Sequence, residues 1–197
     1  KSTLLDLAAG MRRPTRGTVS ISGMDAIDDP MARSSICLLG TRRGLLERTP
    51  LKDSLSLWEA TRPRWNRQEA DLDLFEVPAK TQPARLSQGQ RSALDAVFAL
   101  ACHCPVLLLD EIQLGMDAVV RRAFWNALLG LYVHERPTII VSSHEVDDIE
   151  DLVEDVVVLQ HGGIAAATSA DELRAAATAP DAPLASLTDA LVDMTGP

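Results

Sequence analysis

In this sequence of 197 residues the apolar run Pro105-Val-Leu-Leu-Leu ends in two adjacent carboxylates, Asp110 and Glu111. A carboxylate at a strand tip can hold the hydration shell of a magnesium ion. A second one beside it can accept the proton of a water that attacks a phosphate. A strand that merely leaves the core into polar residues would read the same way. At the other end of the chain, Lys1-Ser2-Thr3 runs into Leu4-Leu5-Asp6-Leu7 and has the form of the last residues of GxxxxGK[ST]. In that loop amides at a helix start cradle phosphates, the lysine reaches the outer phosphates, and the hydroxyl of Ser2 would ligate magnesium. A third segment, Leu86-Ser87-Gln88-Gly89-Gln90, precedes a helical pattern. Ser87 and Gln90 suit a capping box. The same amide-rich start, with a glycine beside it, suits approach to a phosphate, and the two readings are compatible.

The elements that must position these residues follow from hydrophobic patterning. Apolar runs at 36–39, 106–109, 138–142 and 156–159 are nearly continuous in Ile, Val and Leu. Such runs predict strands buried on both faces in a parallel α/β sheet. Residues 17–23 alternate instead, which predicts a partly exposed antiparallel strand or hairpin arm. Helical patterns cover 2–10, 87–101, 118–133 and 146–153. Strand then helix, repeated, is the doubly wound pattern, in which ligands sit beyond the carboxyl ends of strands. Residues 52–83, with Trp58, Trp65, Phe75 and three prolines, interrupt the rhythm as a small helical insertion. After Glu172 the chain turns alanine- and proline-rich and closes with an amphipathic stretch at 184–194. This reads as a linker plus one helix.

A hydrophobic content of 46% supports a packed core, and a net charge of -9 offers nothing to a nucleic-acid backbone, so no direct nucleic-acid binding is expected. No apolar run approaches the roughly 18 residues of a membrane span, and no signal peptide is read. Cys37, Cys102 and Cys104 cannot all pair, and no second Cys/His cluster supplies zinc spacing. A reducing compartment and packing of these thiols in the core are the simple reading.

With these segments in order, the chain resembles the ABC ATPases. Leu86 to Gln90 resembles their LSGGQ signature with Gln88 for the first glycine, and Asp110-Glu111 lies the usual distance beyond it. Leu114-Gly-Met-Asp117 resembles the SGLD loop, and Val141-Ser-Ser-His144 the strand-end switch histidine. The turn at Gly162-Gly163 also fits. The resemblance covers residues 1 to about 163.

It implies a P-loop NTPase-like α/β fold, a parallel sheet flanked by helices, with a small helical subdomain. The amino-terminal strands of that fold would be missing. The division expected is 1–50 for the first part of the ATPase core, 51–100 for the helical subdomain with the signature and its helix, 101–170 for the rest of the core, and 171–197 for a linker and short helix. ATP and Mg2+ are the implied cofactors. Each ATP would be sandwiched between two domains, with Lys1, Ser2, Thr3, Asp110, Glu111 and His144 from one. Ser87, Gln88, Gly89 and Gln90 would face the ATP of the other. Glu111 would be the general base, His144 would position the attacking water, Ser2 and Asp110 would bind magnesium, and Asp117 would lie at the dimer seam.

The sequence also departs from the family. Thr41 stands where a magnesium-touching glutamine is usual, and its hydroxyl would reach the ion only through a water. Gln88 is bulkier than glycine, and Ile112-Gln113 replaces proline-threonine. The glycines and strand that precede the lysine are absent from this sequence, so the fragment alone is expected to bind ATP poorly and to be inactive. Transmembrane permease subunits are the implied partners, contacted near residues 42–57. They would hold a cytoplasmic protein on the inner face of the membrane. A faint similarity of residues 187–196 to export-type tails favours an exporter. The alternatives are a translation or repair ATPase and a catalytically weakened regulatory domain.

Overall fold

The computed structural model describes residues 1–40, 47–70, 72, 77, 79–180 and 182–195. The chain forms two compact units, Lys1–Ser142 and Ser143–Pro197.

The first unit is built on a parallel sheet of β3 (Ile36–Gly40), β4 (Val106–Asp110) and β5 (Thr138–Ser142), in that order. The register sets Gly40 beside Asp110 and Asp110 beside Ser142, so three strand ends meet at one edge of the sheet. All five residues of β3 are buried and four of β4, as their unbroken apolar sequence demands. Strand β5 departs from that expectation: Thr138 and Ile140 are exposed, because among the described residues no strand pairs its outer side.

Alternation sends Ile36 and Leu38 to one face, where with Leu108 they meet Leu5 and Ala9 from α1 (Ser2–Ala8) and its end. Cys37 and Leu39 face the other side, which α4 (Gln88–Ala101) covers with a nearly continuous buried run from Ser92 to Ala99. Between these lie the hairpin β1 (Ser20–Ile21) with β2 (Met24–Asp25), turning at Ser22-Gly23 within the stretch expected to alternate. Helix α2 (Pro30–Ser34) escaped the periodicity reading, yet its start is written locally. Asp29 caps the amides of Met31 and Ala32, and Pro30 occupies the first turn.

Among its described residues the insertion contains one α-helix, α3 (Leu51–Thr61), followed by turns. Its Trp58 ring centroid lies 4.6 Å from that of Phe98 on α4, and Trp65 lies 5.6 Å from the same ring. Aromatic stacking thus anchors the insertion to the helix that carries Ser87 at its cap. Helix α5 (Ala118–Glu135) follows β4 and returns the chain to β5.

In the second unit, β6 (Asp155–Gln160) pairs antiparallel with β7 (Gly163–Ser169) as a separate two-stranded sheet. The fourth apolar run therefore does not join the parallel sheet. His161 and Gly162 both take left-handed φ, 50° and 81°, which makes the two-residue turn that reverses the chain at once. Residues 146–153, expected to be helical, form consecutive turns instead, with Ile149 N–H donating to Val146 and Leu152 N–H to Ile149. Asp147, Asp148, Glu150 and Asp151 carry like charges with no basic residue among them, and aspartate is a poor helix former. Helix α6 (Ala170–Ala177) occupies a stretch whose composition predicts a linker. It starts from a capping box, Ser169 with Glu172, and packs Ala170 and Leu173 against Leu187 and Ala190 of α7 (Leu187–Thr195).

Candidate functional site

The acidic pair sits where the parallel sheet ends. Asp110 is buried at the last position of β4 and accepts a hydrogen bond from the Ser142 hydroxyl at 2.6 Å. Glu111 follows with φ 52°, left-handed backbone that a non-glycine residue adopts at a cost. Its amide donates to the Ser142 carbonyl at 3.0 Å, holding the turn. Opposite Asp110, Gly40 has φ 126°, and a Cβ there would lie 2.1 Å from the Asp110 carbonyl oxygen. Only glycine lets the end of β3 come this close.

Helix α1 lies on the β3–β4 face, and its packing brings the start of the chain to the same edge. Lys1, at the helix cap, places Nζ 3.1 Å from Glu111 Oε1, with the lysine side chain 33% and the glutamate 18% exposed. Residues 110 positions apart thus meet in an ammonium–carboxylate pair beside a buried aspartate. Ser2 and Thr3 are exposed on the first turn of α1. Ser142 and Gly40 are the members that sequence reasoning missed. Ser142 lies inside the Val-Ser-Ser-His segment already singled out, but only the strand register shows which serine meets Asp110.

A second group forms around the start of α4. Ser87 caps the helix, its Oγ accepting from the Gln90 amide at 3.2 Å while the Gln90 side chain accepts from the Ser87 amide at 3.0 Å. A Cβ on Gly89 would meet the Gly115 carbonyl oxygen at 2.3 Å, so this glycine is required by contact within the chain. The exposed Gln88 lies against Gly115 as well. The Ser92 hydroxyl donates to the Leu114 carbonyl at 2.7 Å, which ties residues 87–92 to 114–117. Asp117 caps α5 by accepting from the amides of Val119 and Val120 at 2.8 and 2.9 Å. His144 is exposed and belongs to the second unit. Thr41 lies outside the described residues.

Behind the end of β3 sits a further carboxyl, Asp95 of α4, 6% exposed. It accepts the Gly40 amide, its Oδ1 has no partner among the described residues, and burial pushes it up to about 8, against the lowering influence of Gly40 and Arg91. Nothing in the sequence distinguished it from a surface aspartate.

Elsewhere in the first unit a groove of about 350 Å³ runs between the end of α1, β3 and α3, lined by Gly10, Met11, Arg33, Ile36 and Trp58 among others. Arg62 edges it, donating to the Ile36 carbonyl at 2.8 Å and stacking on Trp58. No helix among the described residues is long and apolar enough to cross a membrane.

A family model described as ABC transporter matches residues 1–113. The chain is 29% identical over 184 residues to the sulfate/thiosulfate import ATP-binding protein of Mesorhizobium japonicum, covering 88% of this chain and 53% of that protein. It is 28% identical over 186 residues to a thiamine import ATP-binding protein of the same organism, covering 90% and 73%. The chain spans about half the length of the sulfate importers it matches. Among solved structures, an ATP-binding subunit of an ABC transporter superposes with a TM-score of 0.84 at 23% identity, covering all of this chain and 83% of that one. A dimeric ATP-binding cassette bound to ADP and phosphate superposes at 0.73 and 20% identity, covering 86% and 80%. These structural likenesses concern the fold. Both of these curated relatives are named as import proteins, whereas the expectation from residues 187–196 is export.

Proposed function

We propose that this chain, which belongs to the ABC transporter family, is the ATP-binding and ATP-hydrolysing part of a transport protein. One observation carries the reading: Lys1 and the Asp110-Glu111 pair, distant in sequence, converge at the carboxyl edge of a parallel sheet, where this fold class binds ligands.

The roles follow from charge and position. A triphosphate arriving at the start of α1 would draw the Lys1 ammonium to its outer oxygens, since a polyanion outcompetes one carboxylate. That takes the ammonium away from Glu111, whose carboxylate can then accept the proton of the attacking water. Asp110 stays fixed through Ser142 and presents oxygen to a cation. Among the described residues no three His, Cys, Asp or Glu form a metal cage. Oxygen donors at one carboxylate and one hydroxyl, Asp110 and Ser2, suit Mg2+, which takes few protein ligands and completes its shell with phosphate and water. When bound it would neutralise charge on the phosphates.

Ser87, Gly89 and Gln90 would close on the nucleotide of a second ATPase domain, with Asp117 at the seam and His144 directing the water. The dimeric state of a structural neighbour supports the pairing of two such domains. The transmembrane subunits implied by the relatives' names would dock at the groove beside α3, holding the protein at the inner face of the membrane. ATP binding would then be transmitted through β3 and α3. The test is Glu111→Gln in the full-length protein: hydrolysis should fall by about a hundredfold or more while ATP binding persists and an ATP-dependent dimer accumulates. Unchanged turnover without a trapped dimer would refute the assignment.

A further inference from the structure

The segment that follows β5 and carries His144 is dense in one sign of charge. Residues 145–155 hold seven carboxylates and no basic residue, so like charges repel along the chain and most of the segment settles into turns. Its compensation comes from the far end of the chain. Glu150 accepts the Leu187 amide at 2.8 Å through its carboxylate and the Arg174 guanidinium at 2.6 Å through its carbonyl. The Thr188 hydroxyl donates to Asp147. Leu187 and Thr188 open α7, where amides have no partner inside the helix. The Glu150 carboxylate therefore satisfies an orphan donor and sits at the positive end of the helix.

This grip is supported from behind. Leu187 and Ala190 are buried and pack with Ala170, Leu173, Val153 and Val156. The Ser186 hydroxyl accepts the Asp189 amide at 3.0 Å and fixes the same turn of α7. The groups that hold the acidic segment are thus a backbone amide and a short β-branched hydroxyl on a docked helix, which have little side-chain freedom to lose.

Along the chain, His144 lies between two anchors. Ser142, two residues before it, is bonded to Asp110 and Glu111. Asp147, three residues after it, is bonded to Thr188. Between them the Ser143 hydroxyl accepts the Glu145 amide at 2.9 Å and donates to the Glu145 carbonyl at 2.6 Å, closing a small ring across the histidine. Only Val146 separates that ring from Asp147. A span this short has little slack once both ends are held, so the histidine backbone follows the end that α7 holds.

We propose that Thr188 is a positioning residue for ATP hydrolysis: with the start of α7 it holds, through Asp147, the turn that carries His144, and so sets the rate of the chemical step without setting the affinity for ATP. The inference rests on the reading that His144 directs the attacking water. Lys1, Ser2 and Thr3, assigned to hold the phosphates, belong to the other compact unit, which is why rate and affinity should separate.

The experiment follows steady-state ATP hydrolysis by the full-length protein. Thr188→Val keeps the shape of the side chain and removes the hydroxyl. Its kcat should fall by about tenfold, short of the roughly hundredfold that misplacement by an ångström can cost, while the KM for ATP stays within about twofold. Thr188→Ser, which loses the methyl group but keeps the hydroxyl, should restore kcat. Hydrogen exchange of the amides at 144–151 should quicken with valine and not with serine. Asp147→Ala breaks the same bond from the other side, where a folding fault at position 188 cannot intervene, and should slow turnover equally; joined to Thr188→Val it should add nothing. In a His144→Ala background Thr188→Val should likewise cost nothing further. The proposal is overturned if Thr188→Val keeps the parent kcat, if it raises KM instead, if serine is as slow as valine, or if valine slows His144→Ala as much as it slows the parent. Turnover of His144→Ala at the parent rate refutes the role of the histidine and the positioning claim with it. A slow His144→Ala beside a normal Thr188→Val removes only the claim for Thr188.

Discussion

Asp95 makes a quantitative demand on the pH dependence of stability. Its carboxyl is 6% exposed, accepts one amide from Gly40, and leaves Oδ1 without a partner among the described residues. Burial raises it from an ordinary 3.8 to about 8. Between those values the folded chain holds a proton that the unfolded chain has released, so stability must fall as pH rises. The slope is about 1.4 kcal/mol per pH unit, and the full span gives an upper bound of about 6 kcal/mol, present at pH 4 and lost above pH 8. Replacement by asparagine keeps the shape and an oxygen for the Gly40 amide but cannot ionise. Urea denaturation followed by tryptophan fluorescence at pH 5, 6, 7, 8 and 9 would measure both proteins. Asp95→Asn should remove most of the decline between pH 5 and 8 and be the more stable protein at pH 9. Other groups titrate equally in both, so the difference isolates this carboxyl. Parallel stability curves would refute the reasoning and mean that Asp95 finds a compensating partner in solution.

Other expectations concern the site and its supports. Ser142→Ala removes the hydroxyl that bonds buried Asp110 and should cost about 1.5–3 kcal/mol of stability, read by thermal unfolding, with a fall in ATP turnover. Gly89→Ala drives a methyl group into the Gly115 carbonyl. A loss of about 1–3 kcal/mol is expected even without nucleotide, and an unchanged melting temperature would show that the start of α4 is not held by that contact. Asp117→Ala removes the α5 cap and should destabilise the protein by about 1 kcal/mol. A dimerisation defect in excess of that loss would mark a role at a seam between two domains.

What the sequence determined by itself was chiefly what neighbours along the chain decide. Continuous Ile and Leu at β3 and β4 could be buried only between helices, and the Ser87–Gln90 box had to start a helix, because both signals lie within a few residues. Capping signals at Asp29 and Ser169 are equally local, but the helices they start are too short to show a period. At residues 146–153 periodicity misled, since it weighs apolar spacing and ignores the repulsion of adjacent carboxylates. The fourth apolar run could not reveal its partner, because a strand's pairing depends on whether the next turn reverses the chain or a helix carries it across.

Tertiary structure alone decided which distant groups meet. It joined Lys1 to Glu111, bonded Ser142 to Asp110, set Gly89 against Gly115, and buried Asp95 behind Gly40. The paired residues lie between 26 and 110 positions apart along the chain. Spacing in sequence carries no information about such separations until strand register and helix packing convert them into ångströms.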